Sequence, residues 1–130
     1  SNSAWPLPPS PRGFAIETRL GGNLPPGFPT IDKWVKKDGI ATSIKTIDLA
    51  AKSYQNPARL ESLVKRYIDK VAAFNGETFS GYRIFDWEIH ERALLIGVPR
   101  NETPAQQQVF ANMAEYAERA GVTLEVEVVR

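Results

Sequence analysis

Hydrophobic positions recur along the chain with two different spacings, and these spacings divide it into helices and strands. Apolar residues three to four positions apart indicate amphipathic helices, whereas alternation of β-branched and polar residues indicates strands. Between residues 57 and 74, for example, Leu60, Val64, Ile68 and Val71 fall on one helical face. The pattern predicts helices over residues 12–20, 57–74 and 104–120, a short helix from Asp48 to Tyr54, and strands over residues 28–35, 40–47, 82–89, 93–98 and 122–128.

Short polar motifs mark where the longer helices begin and end. Asn56 before Pro57 has the form of a helix N-cap followed by proline at the first helical position. Thr103 and Gln106 have the spacing of a capping box, in which each side chain accepts a hydrogen bond from the other residue's backbone N–H. Gly121 is typical of the residue that follows a helix C-terminus. These signals support the second and third predicted helices independently of the apolar spacing.

The order of the elements predicts an α/β fold. A helix, two strands, a helix, two strands, a helix and a strand are together typical of a mixed central sheet flanked by helices. With 130 residues, the chain is long enough for one domain of ordinary size. Residues 1–11 have prolines at positions 6, 8, 9 and 11 and are interpreted as an extended leader or linker. Residues 12–130 are interpreted as the folded domain.

The composition excludes several kinds of active site. The chain has no cysteine and a single histidine, His90. Thiol nucleophiles, disulfide scaffolds and Cys/His zinc sites are therefore excluded, and a ribonuclease mechanism with two histidines is disfavoured. Catalysis would depend on carboxylates, lysine, tyrosine, hydroxyl groups or a metal ion bound by oxygen atoms.

The net charge and the hydropathy of the whole chain bear on two kinds of partner, nucleic acid and membranes. The net charge is +1, so no overall basic field points to nucleic acid, although a local basic groove is compatible with that value. No apolar run reaches the roughly 20 residues that a membrane-spanning helix needs. We therefore expect no stable insertion of this domain into a membrane.

A candidate active site comes from the first helix and the first two strands. The tight turn at residues 36–39 makes the two strands antiparallel neighbours, which places Asp32 roughly opposite Ser43. Ser43 and Lys45 are two residues apart on a strand and therefore point to the same face. The preceding helix can supply Glu17. Two carboxylates suit Mg²⁺ (or Mn²⁺), and a lysine beside the metal could act on the attacking water or on the developing negative charge.

This arrangement resembles the PD-(D/E)xK nucleases, the superfamily that includes type II restriction endonucleases. Their pattern is an acid on the first helix, Asp on one strand and (D/E)-x-K on the next. Here the corresponding residues are Glu17, Asp32 and the Ser43–Lys45 segment, with Ser43 in place of the usual carboxylate. The resemblance implies a restriction-endonuclease-like sandwich in which Glu17 and Asp32 bind the metal. It also implies that Glu17 carries more of the metal binding than is usual in the family.

A longer string of residues resembles a narrower group within that superfamily. The string comprises Arg12-Gly13-Phe14, Leu20–Leu24, Phe28–Asp32 and Gly39–Leu49. It is similar to the C-terminal toxin domains of contact-dependent growth inhibition effectors. The resemblance implies an endonuclease that cuts RNA, with tRNA favoured, and a cognate immunity protein that neutralises it. It also implies that the domain is the C-terminal part of a large secreted or cell-surface effector and acts in the cytoplasm of the target bacterium.

Several alternatives remain open on the sequence alone. Asp32 and Lys45 could form an ordinary ion pair on the surface of the sheet. Asp48 and Lys52 could contact substrate phosphate, but helix capping explains Asp48 equally well. The same site could cut DNA, because the metal chemistry is common to both substrates. The domain could also be a binding module without catalysis, in which Ser43 marks lost metal binding; an immunity protein is disfavoured by the slightly basic charge.

Overall fold

A four-stranded mixed sheet forms the centre of the protein, as seen in a computed structural model that describes residues 3–130. Helices cover both faces of the sheet, and a separate two-stranded hairpin lies beside it. The elements are α1 (Pro9–Arg19), β1 (Lys33–Val35), β2 (Ile40–Thr46), α2 (Pro57–Ala72), β3 (Glu77–Phe79), β4 (Tyr82–Ile84), β5 (Glu91–Val98), α3 (Pro104–Arg119) and β6 (Val122–Val128), with 3₁₀ turns at Lys52–Gln55 and Asp86–Glu88.

The strand order explains the alternation of helices and strands along the chain. The order in the sheet is β1-β2-β5-β6, with β1 antiparallel to β2 and with parallel pairing of β2 to β5 and of β5 to β6. Parallel neighbours need a crossover connection, and α2 and α3 lie in the two connections. This mixed sheet with helices on its faces confirms the predicted α/β fold.

The two faces of the sheet are covered by different helices. Leu94, Ile96 and other inward-facing residues of β5 pack with the apolar stripes of α2 and α3 in the largest core cluster. Gly97 points the opposite way, towards α1, where a Cβ atom would lie 3.1 Å from Ile16 and 3.2 Å from Leu20. The absent side chain therefore lets α1 lie close to the sheet, with Ile16 fully buried.

The predicted caps of α2 and α3 are present. The side chain of Asn56 accepts a hydrogen bond from the backbone N–H of Ala58. Thr103 and Gln106 form the reciprocal capping box. Gln106 is also buried, and its amide group donates to the backbone carbonyl of Leu49. The start of α3 therefore holds in place the segment that follows β2.

The first helix begins earlier than predicted. It starts at Pro9, inside the segment 1–11 that was expected to be extended, because proline is tolerated in a first turn where no intrahelical N–H bond is required. Ala4 is buried, and the indole N–H of Trp5 donates to the carbonyl of Val129 at 2.6 Å. The described part of that segment therefore packs on the domain, although a junction to a carrier protein at this end stays a prediction.

The strand predicted over residues 82–89 was wrong in extent. Backbone pairing ends at Ile84, and a 3₁₀ turn follows at Asp86–Glu88. The missed partner is β3, which forms a hairpin with β4 through a turn at Ser80 and Gly81, both of which have positive φ angles. The alternation across residues 82–89 was produced by a short strand and a turn in succession, which periodicity alone cannot separate.

The strand predicted over residues 28–35 was also shorter, because only Lys33–Val35 pairs with β2. Thr30 adopts a left-handed conformation with φ of 70°, directly after Pro29, which lacks a backbone donor.

No helix within residues 3–130 is both long enough and apolar enough to span a bilayer.

Candidate active site

An open cleft lies where the pairing between β1 and β2 stops. The strand β1 covers only Ile40–Thr42 of β2, so within the described chain the rest of that edge has no strand partner. The cleft has a volume of about 350 Å³. Its walls come from α1, the edge of β2 and α2. The residues that line it are Pro9, Ser10, Gly13, Phe14, Glu17, Asp32, Ile44, Lys45, Thr46 and Tyr67.

Asp32 is held at this edge by the backbone of β2. The register pairs Lys33 with Thr42, which places Asp32 across from Ser43, as the turn at residues 36–39 predicted. The Asp32 N–H donates to the Thr42 carbonyl at 2.9 Å, and its carboxylate Oδ2 accepts from the Ile44 N–H at 2.7 Å. The main chain thereby orients the carboxylate into the cleft.

Glu17 reaches the same point from α1, on the other side of the cleft. Burial raises the pKa of the Glu17 carboxyl, and repulsion from Asp32 raises it further, whereas Lys45 opposes the shift. Burial also raises the pKa of Asp32, against the lowering effects of the Ile44 N–H and of Lys45. The two carboxyl groups lie close enough for each to shift the pKa of the other. Two carboxyl groups in contact resist simultaneous ionisation, so the pair would be stabilised by a cation.

Lys45 completes the cleft from the α2 side. Its ammonium nitrogen lies 5.3 Å from the centre of the Tyr67 ring, within the range of a cation–π contact. Lys70, one turn further along α2, is close enough to lower the pKa of Asp32. Neither of these α2 residues was identified from the sequence, because an aromatic residue near the apolar stripe and a lysine outside it are typical of any amphipathic helix.

Ser43 differs from the other predicted site residues in its surroundings. It is 1% exposed, does not line the cleft, and its Oγ has no hydrogen-bond partner among the described residues.

The neighbouring Ile44 has a main-chain carbonyl oxygen at the open edge of β2. Because the N–H and C=O of one strand residue point to the same side, the Ile44 carbonyl shares the open edge with the N–H that binds Asp32. A main-chain acceptor of this kind leaves no signal in the sequence.

Asp48 and Lys52 lie outside the cleft lining. The Asp48 carboxylate accepts from the Ala50 N–H at 3.0 Å, and its carbonyl accepts from the Ala51 N–H, so it stabilises the turn after β2. Lys52 begins the following 3₁₀ turn and is exposed. The local capping role of Asp48 therefore has direct support, while substrate binding by either residue stays a prediction.

The donor set of the cleft was tested against a divalent metal. Residues 3–130 contain no cluster of three or more His, Asp or Glu side chains. Mg²⁺, however, is commonly bound by one or two carboxylates and keeps several waters. The contacting carboxyl groups of Glu17 and Asp32, with the Ile44 carbonyl beside them, fit that requirement. Lys45 adds a positive charge for an anionic substrate.

The mixed sheet, with an acidic pair and a lysine at its open edge, has the arrangement of a restriction-endonuclease-like domain. A family model described as the CDI toxin restriction endonuclease-like domain matches residues 12–127. The chain therefore belongs to this family of contact-dependent growth inhibition toxins. Nucleases of the restriction-endonuclease-like class generally use divalent metal ions.

Two curated proteins are similar in sequence. The chain is 30% identical over 112 residues to "Deoxyribonuclease CdiA" of Yersinia pseudotuberculosis serotype O:3 (strain YPIII), covering 85% of the chain and 10% of that protein. It is 29% identical over 108 residues to "Deoxyribonuclease CdiA-o11" of Escherichia coli O157:H7 (strain EC869), covering 82% of the chain and 29% of that protein. The chain thus spans a minor part of each relative.

A solved structure has the same fold. The chain matches a chain of the "CdiA-CT/CdiI toxin and immunity complex from Yersinia pseudotuberculosis" with a TM-score of 0.76 and 29% sequence identity. The match covers 88% of the present chain and 98% of the other.

Proposed function

We propose that this domain is a metal-dependent DNA endonuclease and that it acts as the toxic part of a contact-dependent growth inhibition effector. The observation that carries the proposal is the meeting of Glu17, Asp32 and Lys45 in one cleft at the open edge of β2. DNA is favoured over the tRNA that the resemblance had suggested, because both curated relatives are named deoxyribonucleases.

The residues of the cleft have different roles in the proposed phosphodiester hydrolysis. Glu17 and Asp32 would hold Mg²⁺ (or Mn²⁺), which when bound supplies Lewis acidity and makes water a better nucleophile. The Ile44 N–H fixes one oxygen of Asp32 and so orients the carboxylate. The ammonium group of Lys45, held against Tyr67, faces a scissile phosphate and stabilises the negative charge that develops as water attacks phosphorus and the alcohol oxygen departs.

The substrate is tested by incubating the purified domain with plasmid DNA and, separately, with bulk tRNA, each with Mg²⁺, with Mn²⁺ and with EDTA. We expect metal-dependent nicking or linearisation of the plasmid and intact tRNA. Cleavage of tRNA alone would reverse the choice of substrate without affecting the reaction class. Binding of nucleic acid without cleavage under every metal condition would favour the non-catalytic module instead.

Metal binding has a signature that does not depend on catalysis. We expect Mg²⁺ or Mn²⁺ well above its Kd to raise the melting temperature by roughly 5 °C or more at pH 7.5, because a ligand that binds only the folded state stabilises it. Asp32→Asn should remove most of this shift, whereas Asp38→Asn, at an exposed turn position, should keep it. Equal shifts in both variants would place the metal elsewhere.

The same melting experiment has a defined pH dependence. The pKa of each carboxyl is raised in the folded protein, so the folded state binds these protons more tightly than the unfolded chain. Without metal, the stabilisation from the pair is present below the unfolded pKa values and is lost as pH rises through the raised folded values. Because protons compete with the cation, the metal-induced shift should be smaller at pH 5 than at pH 7.5.

The relatives also support a protein partner and a route of delivery. The matched structure is a toxin and immunity complex, and the curated relatives are far longer than this domain. We infer that a cognate immunity protein neutralises the domain, and that the domain reaches the cytoplasm of a target bacterium as the C-terminal part of a large surface effector. Expression of the domain in bacteria should stop growth, and coexpression of the immunity protein should restore it.

A further inference from the structure

One stripe of α1 faces the active-site cleft. Ser10, Gly13, Phe14 and Glu17 are spaced at intervals of three and four residues, and all of them line the cleft. Glu17 is the carboxylate already assigned to the metal. The other three residues extend the cleft wall away from Glu17 along the helix and lie outside the proposed metal site.

Gly13 has no structural reason to be glycine. Glycine inside a helix is roughly 1 kcal/mol less favourable than alanine. Of the nine glycines in the chain, Gly13 alone combines a φ angle outside the left-handed region with open space, because a Cβ atom placed there meets nothing within 4 Å. Glycine at this position destabilises the helix, and no packed neighbour requires the absence of a side chain. The open space beside Gly13 belongs to the cleft. This is the pattern expected where another molecule's backbone approaches closely.

Phe14 is a large apolar residue of the cleft wall that is exposed. The residue is 60% exposed, whereas Ile16, which packs α1 on the sheet, is fully buried. Leaving an aromatic ring in water at this point sacrifices hydrophobic burial, which packing of the domain does not explain. The ring stands one helical turn from Glu17 and therefore one turn from the site of phosphate chemistry.

The charges of the cleft favour a nucleic acid as the occupant of this wall. Lys45 lines the opposite side, and Lys70 acts on Asp32 from α2. Once the proposed cation balances the charges of Glu17 and Asp32, a phosphate chain entering the cleft meets the positive charge of these lysines. Aromatic side chains beside cationic groups stack on bases independently of sequence. A strand whose phosphate lies between Glu17 and Lys45 has its neighbouring nucleotide against α1.

We propose that Gly13 and Phe14 form the substrate-docking wall of the nuclease, where a DNA backbone passes over Gly13 and an unstacked base next to the scissile phosphate packs on the Phe14 ring. The inference rests on the proposed DNA endonuclease function. It adds that the enzyme binds locally unpaired DNA better than intact duplex, since a base must leave its stack to reach the ring.

The test uses Phe14→Ala, Phe14→Tyr and Gly13→Ala. Plasmid cleavage by each variant in the otherwise intact domain gives KM and kcat. Fluorescence anisotropy of the same substitutions, compared with one another in a cleavage-deficient Lys45→Ala background, measures binding to a labelled DNA single strand and to its duplex. We expect Phe14→Ala to weaken single-strand binding by roughly 5- to 100-fold and to raise KM more than it lowers kcat. Phe14→Tyr should retain binding. Trp87→Ala, at a 72% exposed aromatic residue outside the cleft, is the matched control and should leave both unchanged.

Gly13→Ala gives two opposite readouts. We expect the melting temperature to rise by roughly 2–5 °C, because alanine favours the helix, while DNA binding weakens by about tenfold. Ser62→Ala, at an exposed position of α2, should change neither DNA binding nor KM. A variant that is more stable and yet binds less DNA cannot be explained by damage to the fold.

The possible failures are distinguishable. Unchanged DNA binding and KM in both Phe14→Ala and Gly13→Ala overturn the docking wall, even if the wild type cuts DNA. Weakened binding of the immunity protein with unchanged cleavage would assign Phe14 to the protein partner and also overturns it. A wild type that binds but does not cut DNA refutes the proposed function, while the binding comparison still decides the docking wall. A wild type that neither binds nor cuts DNA refutes both.

Discussion

Replacement of Asp32 by asparagine is expected to lower the rate of DNA cleavage by roughly a thousandfold or more. The substitution preserves the shape of the side chain and an oxygen that can accept from the Ile44 N–H, but it removes the charge that faces Glu17. The developing charge at phosphorus then loses the cation that the pair would hold, and one preorganised electrostatic contact is commonly worth a factor of about 10²–10³. Initial rates of plasmid cleavage under saturating metal measure the effect.

The stability of the same variant distinguishes a catalytic loss from a folding defect. Because burial raises the pKa of Asp32, its ionised form is disfavoured in the folded protein at neutral pH. Asp32→Asn should therefore unfold at an equal or higher urea concentration than the wild type at pH 7.5. Asp38→Asn, on the exposed turn, should leave both rate and stability unchanged. Cleavage by Asp32→Asn at more than about a tenth of the wild-type rate would remove Asp32 from the mechanism.

The parts of the fold that the sequence predicted well are those with local causes. The caps at Asn56 and Thr103 are recognisable because their hydrogen bonds join residues two or three positions apart. The approach of Asp32 to β2 was equally predictable, since the tight turn at residues 36–39 sets the register of both strands. The proximity of Glu17 followed from the family pattern, because α1 packs on the far face of the sheet through long-range contacts.

The features that could not be predicted from the sequence depend on tertiary packing. Tyr67 lines the cleft, and Lys70 lies close enough to act on Asp32, only because α2 packs on the sheet. Their spacing on the helix is indistinguishable from that of an ordinary apolar stripe and a solvated face. The packing of Trp5 on Val129 joins opposite ends of the chain, so no local pattern indicates it. The burial of Ser43 likewise depends on neighbours that are distant in sequence.

The position of Ser43 also bears on the metal. A carboxylate at residue 43 is the usual family ligand, but the serine here is buried and absent from the cleft lining. The metal ligands that we propose are then Glu17, Asp32 and the main-chain carbonyl of Ile44. With two carboxylates where the family pattern has three, we expect Lys45 and Lys70 to provide a greater part of the substrate-charge stabilisation.

Substitutions of Lys45 can distinguish stabilisation of negative charge from proton abstraction. We expect Lys45→Ala to lower kcat by about 10²- to 10³-fold with little change in the metal-induced melting shift, because the lysine acts on the phosphate and not on the cation. If its role is to stabilise developing negative charge, Lys45→Arg should recover a substantial part of the loss, since arginine keeps the charge and the contact with Tyr67.

A lysine that instead accepts the proton of the attacking water cannot be replaced in this way, because arginine stays protonated throughout the accessible pH range. Lys45→Arg would then be as inactive as Lys45→Ala. Lys70→Ala is the informative comparison: it removes a positive charge from α2 without touching the cleft lining, and we expect a loss of less than tenfold, mainly in KM. Equal losses in the Lys45 and Lys70 variants would mean that the cleft requires positive charge in general and not an ammonium group at residue 45.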